Sequence, residues 1–163
     1  MRMTNPIKPL CEGGKILILG TFPGGESLKA RFYYWHKQNR FWKVLAEIYN
    51  ESGFLERDKD MRRSLLIKHG IALWDTIESC EREGSLDQNI KNPVVIDLAK
   101  FLKDNPSICR ILLNGGKAAT IYKKYFINDI NLEYFACPST SPANARFDIS
   151  AWKTALLSPI NSQ

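Results

Sequence analysis

With 163 residues, 44% of them hydrophobic and 11% aromatic, the chain is long and apolar enough to bury a core, which excludes wholesale disorder. Its apolar runs fall far short of the roughly 20 residues that span a bilayer, and no apolar signal segment opens the sequence, so we expect no membrane span and a cytosolic or nucleoid location. A formal net charge of +6 suits a polyanionic partner without establishing one. We expect one domain over residues 1–163, with a core over about 12–157 and tails at 1–11 and 158–163.

The metal-binding residue types form no recognisable site. The four cysteines include no C-x-x-C pair, and the two histidines, His36 and His69, complete no metal-ligand pattern. We therefore expect neither a structural metal nor a disulfide framework.

Short apolar runs between turn signals predict four buried strands. They cover residues 15–20 (K-I-L-I-L-G), 70–74, 109–113 and 132–137. Between and after the strands, apolar residues at three- and four-residue spacing predict helices. The helical segments are 41–49, 61–68, 94–103, 117–125 and 149–157.

This alternation of strands and helices predicts an α/β fold, a three-layer αβα sandwich around a central four-stranded parallel sheet. Ligands bind such sheets outside the carboxyl ends of the strands. The loops that follow the strands are therefore where functional residues are expected.

The first loop, G-T-F-P-G-G-E-S over residues 20–27, is rich in glycine. Glycine allows the backbone to approach a ligand closely. A phosphate-binding Walker loop is excluded because Glu26 stands where that loop needs lysine. A tight strand-to-helix turn without function is the alternative.

Residues 32–42, F-Y-Y-W-H-K-Q-N-R-F-W, interleave aromatic rings with amides and cations. Nucleobases stack on such rings. Helical periodicity assigns Phe41 and Trp42 to the core. Asn39 fits equally well as the N-cap of a helix beginning at Arg40.

Asp75 follows the second predicted strand and has two interpretations. In Asp75-Thr76-Ile77-Glu78 it has the spacing of a capping box. As a carboxylate held at a strand end, it would instead accept the ring N–H of a lactam base. The sequence alone leaves both open.

The last two loops carry hydroxyls, amides and cations. The third strand leads into N-G-G-K at 114–117, and the fourth into P-S-T-S-P-A-N-A-R at 138–146. Hydroxyls and backbone N–H groups in the second loop could bind phosphates while its prolines stiffen it. An ordinary Ser/Thr/Pro turn is equally compatible.

In this order the motifs resemble the uracil-DNA glycosylase superfamily over most of the chain. G-T-F-P-G occupies the place of its first motif, P-S-T-S-P-A-N-A resembles its second, and H-K-Q-N-R-F-W-K-V resembles its thymine and mismatch-uracil branch. The combination of x-P-G, Y-Y-x-H-x-x-N-x-F-W, H-G-I-A-L-W-D and P-S-T-S-P-A is most similar to the hypoxanthine-DNA (deoxyinosine) glycosylase branch.

The resemblance implies a monofunctional DNA N-glycosylase of base excision repair. It would hydrolyse the N-glycosidic bond of a deaminated base, hypoxanthine and also uracil or xanthine, after flipping the nucleotide out of DNA. DNA is the implied partner, and a monomer without metal or cofactor is expected.

The resemblance also assigns roles. Asn39 would position the attacking water, and Tyr34, or Tyr33 as the alternative, would stack on the base. Asp75 would accept the N–H of a lactam base while backbone around Thr21 and Phe22 donates to its carbonyl, because an ionised carboxylate only accepts. Ser139 lies near the base carbonyl. The implied DNA contacts are Gly24, Lys117, Ser141, Ala143, Asn144 and Arg146.

Three residues depart from the superfamily pattern. Phe22 replaces an Asp or Asn that positions or activates water, and Ser139 replaces a histidine. Ala143 replaces a larger wedge, so insertion into DNA would fall to Asn144 or Arg146. The rivals are a mismatch-specific uracil or thymine glycosylase, a catalytically inert nucleic-acid-binding module and, less favoured because of Glu26, an enzyme acting on small nucleotides.

Overall fold

The structure, a computed structural model, describes residues 1–160. Within them lie seven strands and six α-helices. The strands are β1 (Arg2–Thr4), β2 (Ile16–Gly20), β3 (Ile71–Asp75), β4 (Ile77–Glu81), β5 (Lys91–Val95), β6 (Arg110–Asn114) and β7 (Glu133–Cys137). The helices are α1 (Gly25–Ala30), α2 (Phe41–Tyr49), α3 (Lys59–His69), α4 (Leu98–Asp104), α5 (Gly116–Tyr125) and α6 (Ile149–Leu157).

The central sheet has the order β3-β2-β6-β7, and all its strands are parallel. Gly20, the last residue of β2, lies in register with Asp75, the last residue of β3. Asn114 at the end of β6 lies in register with Cys137 at the end of β7. The parallel αβα prediction is confirmed, and the strand ends meet at one edge of the sheet.

Alternating residues of β2 supply two separate cores, because successive side chains of a strand point to opposite faces. Ile16 and Ile18 pack with apolar residues of α2, α3 and α6. Leu17 and Leu19 pack with apolar residues of α4 and α5. Burial on both faces explains why this strand is a continuous apolar run.

A second, antiparallel sheet of order β1-β4-β5 was not predicted. The predicted tail over residues 1–11 is wrong, because β1 pairs with β4, Ile7 is buried and Leu10 bridges to Leu73. The first core residue therefore lies before position 12. Of the predicted tail at 158–163, Ile160 packs on the core, and residues 161–163 lie outside the described part of the chain.

On this side of the molecule the structure excludes one of the two interpretations of Asp75 and corrects one predicted helix. Residues 75–78 form no capping box, because Asp75 ends β3 and β4 begins at Ile77. The helix predicted over 94–103 begins only at Leu98, where Asp97 caps it by accepting a hydrogen bond from the Lys100 N–H. The β-branched residues before Asp97 extend into β5 instead.

Within residues 1–160, no helix is long and apolar enough to cross a membrane. In the same residues, no three His, Cys, Asp or Glu side chains come together in a way that could hold a metal ion.

Arg110 in β6 binds the segment over residues 155–159 to the central sheet through hydrogen bonds. Its guanidinium is only 1% exposed and donates to the carbonyl oxygens of Ala155, Ser158 and Pro159 at 2.8 to 3.0 Å. It also pairs with the Glu133 carboxylate, with an Nη2 to Oε2 distance of 3.0 Å. A buried cation with this many acceptors is expensive to remove, because each acceptor would lose its partner.

We expect Arg110→Met to lower the free energy of unfolding by about 3 kcal/mol or more, measured by urea denaturation. Lys100→Met is the control, because it removes a solvent-exposed Lys100–Asp104 pair and should leave the midpoint nearly unchanged. Equal midpoints for the two variants would contradict the role given to Arg110.

Candidate active site

A cavity of about 910 Å³ opens at the carboxyl ends of the parallel strands. Its walls come from the loops after β2, β6 and β7, from residues 33–39, and from residues 85–88 in the connection between β4 and β5. The structure brings all the residues nominated from the sequence into its lining: Thr21, Phe22, Gly24, Tyr34, Asn39, Asp75, Lys117, Ser139, Ser141, Ala143, Asn144 and Arg146. Asn39 and Asp75 therefore share one cavity.

Gly20 allows Asp75 and Tyr34 to converge on the cavity floor. A Cβ atom at position 20 would lie 2.6 Å from Asp75 Oδ1 and 3.0 Å from Tyr34 Oη. Such distances leave no room for any side chain at this position. The glycine that ends β2 is therefore needed for the close approach of these two polar groups.

Asp75 is a buried carboxyl group without a cationic partner in the described residues. It is 4% exposed, and its Oδ2 accepts a hydrogen bond of 3.2 Å from the Asn5 side-chain amide. Burial raises the pKa of Asp75 to about 7; the Asn5 hydrogen bond opposes this shift, and the charge of Asp87 adds to it. Near neutral pH the group can thus donate as well as accept, unlike the ionised carboxylate expected from the sequence.

Tyr34 presents an aromatic ring to the cavity from an unusual backbone conformation. Its φ is 51°, in the left-handed region that few non-glycine residues adopt. Its ring stacks on Phe41 with a centroid distance of 4.1 Å, and its buried hydroxyl has no hydrogen-bond partner among residues 1–160. Burial raises the pKa of the Tyr34 phenol, so the hydroxyl keeps its proton.

The neighbouring aromatic residues hold Tyr34 in this conformation. The Trp42 indole N–H donates to the carbonyl oxygens of Tyr33 and Tyr34. The guanidinium of Arg57 lies 4.4 Å from the Trp35 ring centroid. Tyr33, the alternative stacking residue, is buried in the core and its hydroxyl donates to the Lys8 carbonyl, so the geometry favours Tyr34.

Asn39 begins the turn into α2 without occupying the cap position itself. The helix starts at Phe41, so Arg40 is the N-cap residue, and it makes no side-chain cap bond. Asn39 Oδ1 instead accepts a 2.9 Å hydrogen bond from the Phe41 N–H. Among the hydrogen bonds of residues 1–160 this is its only side-chain bond, so its amide N–H₂ and a second lone pair remain for water or a ligand.

Hydrogen bonds lock the Asn39 turn to the last loop. The Arg40 backbone N–H donates to the Thr140 carbonyl at 2.9 Å, and its guanidinium donates to the Ser141 carbonyl at 3.1 Å. Asn114 at the end of β6 both donates to the Thr140 hydroxyl and accepts from the Thr140 N–H. The walls contributed by different strands are therefore one connected unit.

The loop over residues 138–146 is stiffened by its own side chains. The hydroxyl oxygens of Ser139 and Ser141 accept from the Ser141 and Ala143 N–H groups, which leaves both hydroxyl protons free to donate. Asn144 is committed at both ends, because its amide donates to the Ser139 carbonyl and its oxygen accepts from the Arg146 N–H. Ala143 and Arg146 are exposed.

Several lining residues were missed by the sequence analysis. Asn114 follows a predicted strand, and its position at a strand end was a usable signal. His36 also lines the cavity, with Nδ1 accepting from the Gln38 N–H. No sequence pattern indicated that residues 85–88 line the cavity, because they connect β4 and β5, two strands of the sheet that was not predicted.

The parallel sheet and the polar, aromatic cavity at its carboxyl edge define an α/β protein that binds its ligand at the strand ends. The family model of the Uracil DNA glycosylase superfamily matches residues 8–158, and the chain belongs to this superfamily.

Named relatives agree with this assignment. A hypoxanthine DNA glycosylase of Methanosarcina acetivorans is 32% identical over 139 residues, covering 85% of each chain. A hypoxanthine DNA glycosylase of Methanosarcina barkeri is 32% identical over 135 residues, covering 83% of this chain and 84% of the relative. The predicted superfamily and the predicted class of enzyme, a DNA N-glycosylase, are confirmed.

A solved structure shows the same architecture. The solution NMR structure of a Methanosarcina acetivorans protein, provisionally assigned as a uracil DNA glycosylase, superimposes with a TM-score of 0.82 at 28% identity. The match covers 96% of this chain and 97% of that protein.

The raised pKa of Asp75 predicts how stability varies with pH. Between about pH 4 and 7 the unfolded chain has lost this proton while the native state keeps it, so this residue's contribution to stability falls as pH rises through that window. Asp75→Asn removes the effect. We expect the variant to melt close to the wild type near pH 4 and a few degrees higher at about pH 8. A difference in Tm that is constant across this range would show that Asp75 does not titrate there.

Proposed function

We propose that this chain is a monofunctional DNA glycosylase that excises deaminated bases, with hypoxanthine as the preferred base and xanthine or uracil as further substrates. The observation that carries the proposal is the buried, partly protonated Asp75 in a cavity shared with Asn39. The names of the two Methanosarcina relatives support the choice of hypoxanthine.

Asp75 would recognise the edge of a lactam base. Its protonated form offers one donor and one acceptor, as an amide does, and so matches the O6 and N1–H of hypoxanthine or the O4 and N3–H of uracil. The protonated form alone does not exclude cytosine or adenine, because an amino donor beside a ring-nitrogen acceptor also matches one donor and one acceptor. The ionised form, which only accepts, favours the ring N–H of a lactam base. Asp87, half-buried in the same cavity, adds a second acceptor near the base.

Tyr34 would form the stacking platform for the flipped base. One face of its ring is covered by Phe41, and the other would receive the base. Stacking on an aromatic side chain is worth about 1–3 kcal/mol per base. This offsets part of the cost of flipping, which is smallest for a mispaired base.

Asn39 would hold the water that attacks C1′ of the deoxyribose. Its Oδ1 is oriented by the Phe41 N–H, so the remaining lone pair points in a fixed direction. Phe22 occupies the position where many superfamily members carry a water-binding residue, and it is buried and apolar. Asn39 is therefore the residue to which we assign that task.

The reaction is a hydrolysis. The electron pair of the N-glycosidic bond leaves with the base as the sugar acquires oxocarbenium character. The water oxygen then bonds to C1′ and releases a proton, which neutralises the departed base anion. Hydrogen bonds at the Asp75 end of the cavity stabilise the negative charge of the leaving base. DNA phosphates stabilise the sugar cation. The products are a free base and an abasic site.

Exposed cations beside the cavity would hold the DNA backbone. Lys117 lies in the first turn of α5, and Arg146 ends the 138–146 loop. Ser141 and the backbone at Gly24 would add hydrogen bonds to phosphate oxygens. The side chain of Asn144 already has two partners within its loop, so we assign it to loop structure before DNA contact.

A panel of duplexes tests the substrate. Each carries one hypoxanthine, xanthine, uracil or mismatched thymine, and abasic sites are revealed by alkaline strand cleavage. We expect hypoxanthine to be excised fastest and mismatched thymine slowest. Fastest release of uracil or thymine would favour a mismatch-specific enzyme, and binding without cleavage of any duplex would favour an inert binding module.

Asn39→Ala separates the catalytic role of this residue from its structural one. We expect the single-turnover rate on the best substrate to fall about 100-fold or more, as for the loss of one preorganised group. Loss of the bond to the Phe41 N–H should cost only about 1 kcal/mol of stability. A small fall in rate with a large fall in Tm would instead assign Asn39 to structure alone.

A further inference from the structure

The exposed apolar residues of the 138–146 loop are Pro142, Ala143 and Ala145, so the loop offers no long apolar side chain with which to hold a base pair open. Ala143 presents only a methyl group, and the Asn144 side chain is engaged at both ends. Glycosylases that flip a nucleotide generally fill the gap it leaves with a protein side chain. If the proposed function is correct, the gap is filled either by the exposed Arg146 or by another part of the cavity rim.

Leu86 has the properties of a wedge. Of the large apolar side chains that line the cavity within residues 1–160, Phe22 and Tyr33 are buried and Tyr34 is stacked on Phe41. Leu86 is 45% exposed. An aliphatic side chain held in water at the rim of a DNA-binding cavity gains by entering a base stack.

The backbone presents Leu86 rigidly. It precedes a 3-10 turn over Asp87–Asn89, and its carbonyl accepts from the Asn89 N–H at 3.1 Å. On its other side, the Ser85 hydroxyl accepts a 2.9 Å hydrogen bond from the Gly25 N–H. A side chain on a backbone held in this way can displace a base pair at a lower entropic cost than one on a mobile loop.

Residues 23–25 of the first loop pack closely against residues 82–85, which precede Leu86. A Cβ atom at Gly25 would lie 3.2 Å from Ser85 Oγ, so glycine permits the close seating. The Arg82 guanidinium donates to the Pro23 carbonyl at 2.7 Å and to the Gly84 carbonyl at 2.9 Å. The glycine-rich loop thus supports the segment that carries Leu86.

Charge at this point of the rim is mixed: Glu26 lines the cavity and Glu83 is exposed, while Arg82 and Lys117 supply cations. The neighbouring Asp87 is half-buried in the cavity, and burial raises the pKa of its carboxyl. The positive charges of Arg82 and Lys117 lie close enough to lower the pKa of the same carboxyl. Phosphates approaching the rim therefore meet cations near this acid.

We propose that Leu86 is the wedge that enters the base stack where the target nucleotide has left it. This inference rests on the proposed function and deepens it, because it moves strand invasion from the 138–146 loop to the connection between β4 and β5. Leu86 holds the duplex open, while recognition and hydrolysis take place at Asp75 and Asn39.

The test compares a paired with an unpaired target. One duplex carries hypoxanthine opposite cytosine, and the other carries it as a single-nucleotide bulge with no partner to displace. We expect Leu86→Ala to lose about 10-fold or more in rate on the paired substrate and much less on the bulge. Leu86→Phe should restore most of the loss. Leu157→Ala, an equally exposed leucine (49%) at the end of α6, is the matched control and should change neither rate.

A second measurement does not depend on cleavage. With 2-aminopurine placed beside the target, binding by the wild type should increase fluorescence through unstacking, and Leu86→Ala should bind without this increase. If the wild type cleaves nothing, the proposed function fails, yet the fluorescence still decides the role of Leu86.

Three results would overturn the wedge. The first is an unchanged rate of Leu86→Ala on the paired duplex together with a normal fluorescence increase. The second is an equal loss on the paired and bulged substrates at unchanged Tm, which would place Leu86 in the chemistry. The third is a selective loss in Arg146→Ala and none in Leu86→Ala, which would return the wedge to the 138–146 loop.

Discussion

The burial of one carboxyl group, with no countercharge among residues 1–160, is the constraint around which this site is arranged. Asp75 ends a strand that is buried on both faces, so its side chain emerges where water is scarce and protonation is favoured. Such a group is costly in a merely structural setting, because an apolar residue would pack there without penalty. Under the proposed function, recognition of the ring N–H of the base offsets this cost. Gly20 leaves room for this group, and Tyr34 borders it.

The second requirement is that residues from distant parts of the sequence keep fixed relative positions. The Asn114 amide clamps Thr140, and Thr140 in turn accepts from the Arg40 N–H, which places the Asn39 turn beside the last loop. Catalysis by positioning depends on such stiffness, since small displacements of a water-holding group are costly. The left-handed conformation at Tyr34 is stored strain of the kind that surrounding packing must hold in place.

The central sheet could be predicted because its strands are apolar on both faces, and the cavity followed from the rule that ligands bind at strand ends. Strands β1 and β5 could not, because most of their residues are exposed or half-buried. Strand β4 could not, because Glu78 interrupts its buried residues and, within residues 1–160, it pairs only with these two strands. Asp75 shows the limit most clearly. The sequence identifies it as a residue after a strand, but its protonation state depends on burial and on Asn5, seventy positions away in the chain. The place of Leu86 at the cavity likewise depends on the fold of the connection between β4 and β5, which no local sequence pattern indicates.

The contact between Asn5 and Asp75 gives the beginning of the chain an influence on the chemistry. The residues between β1 and Ile7 deliver a neutral amide to the most sensitive acid of the cavity, and that amide is the hydrogen-bonding side chain that opposes its protonation. Removing the first few residues, or displacing them with a fused peptide, would break the Asn5 hydrogen bond and so raise the pKa of Asp75 further, while the central sheet stayed intact. Under the role proposed for Asp75, the pH dependence of the reaction would depend partly on Asn5 near the amino terminus.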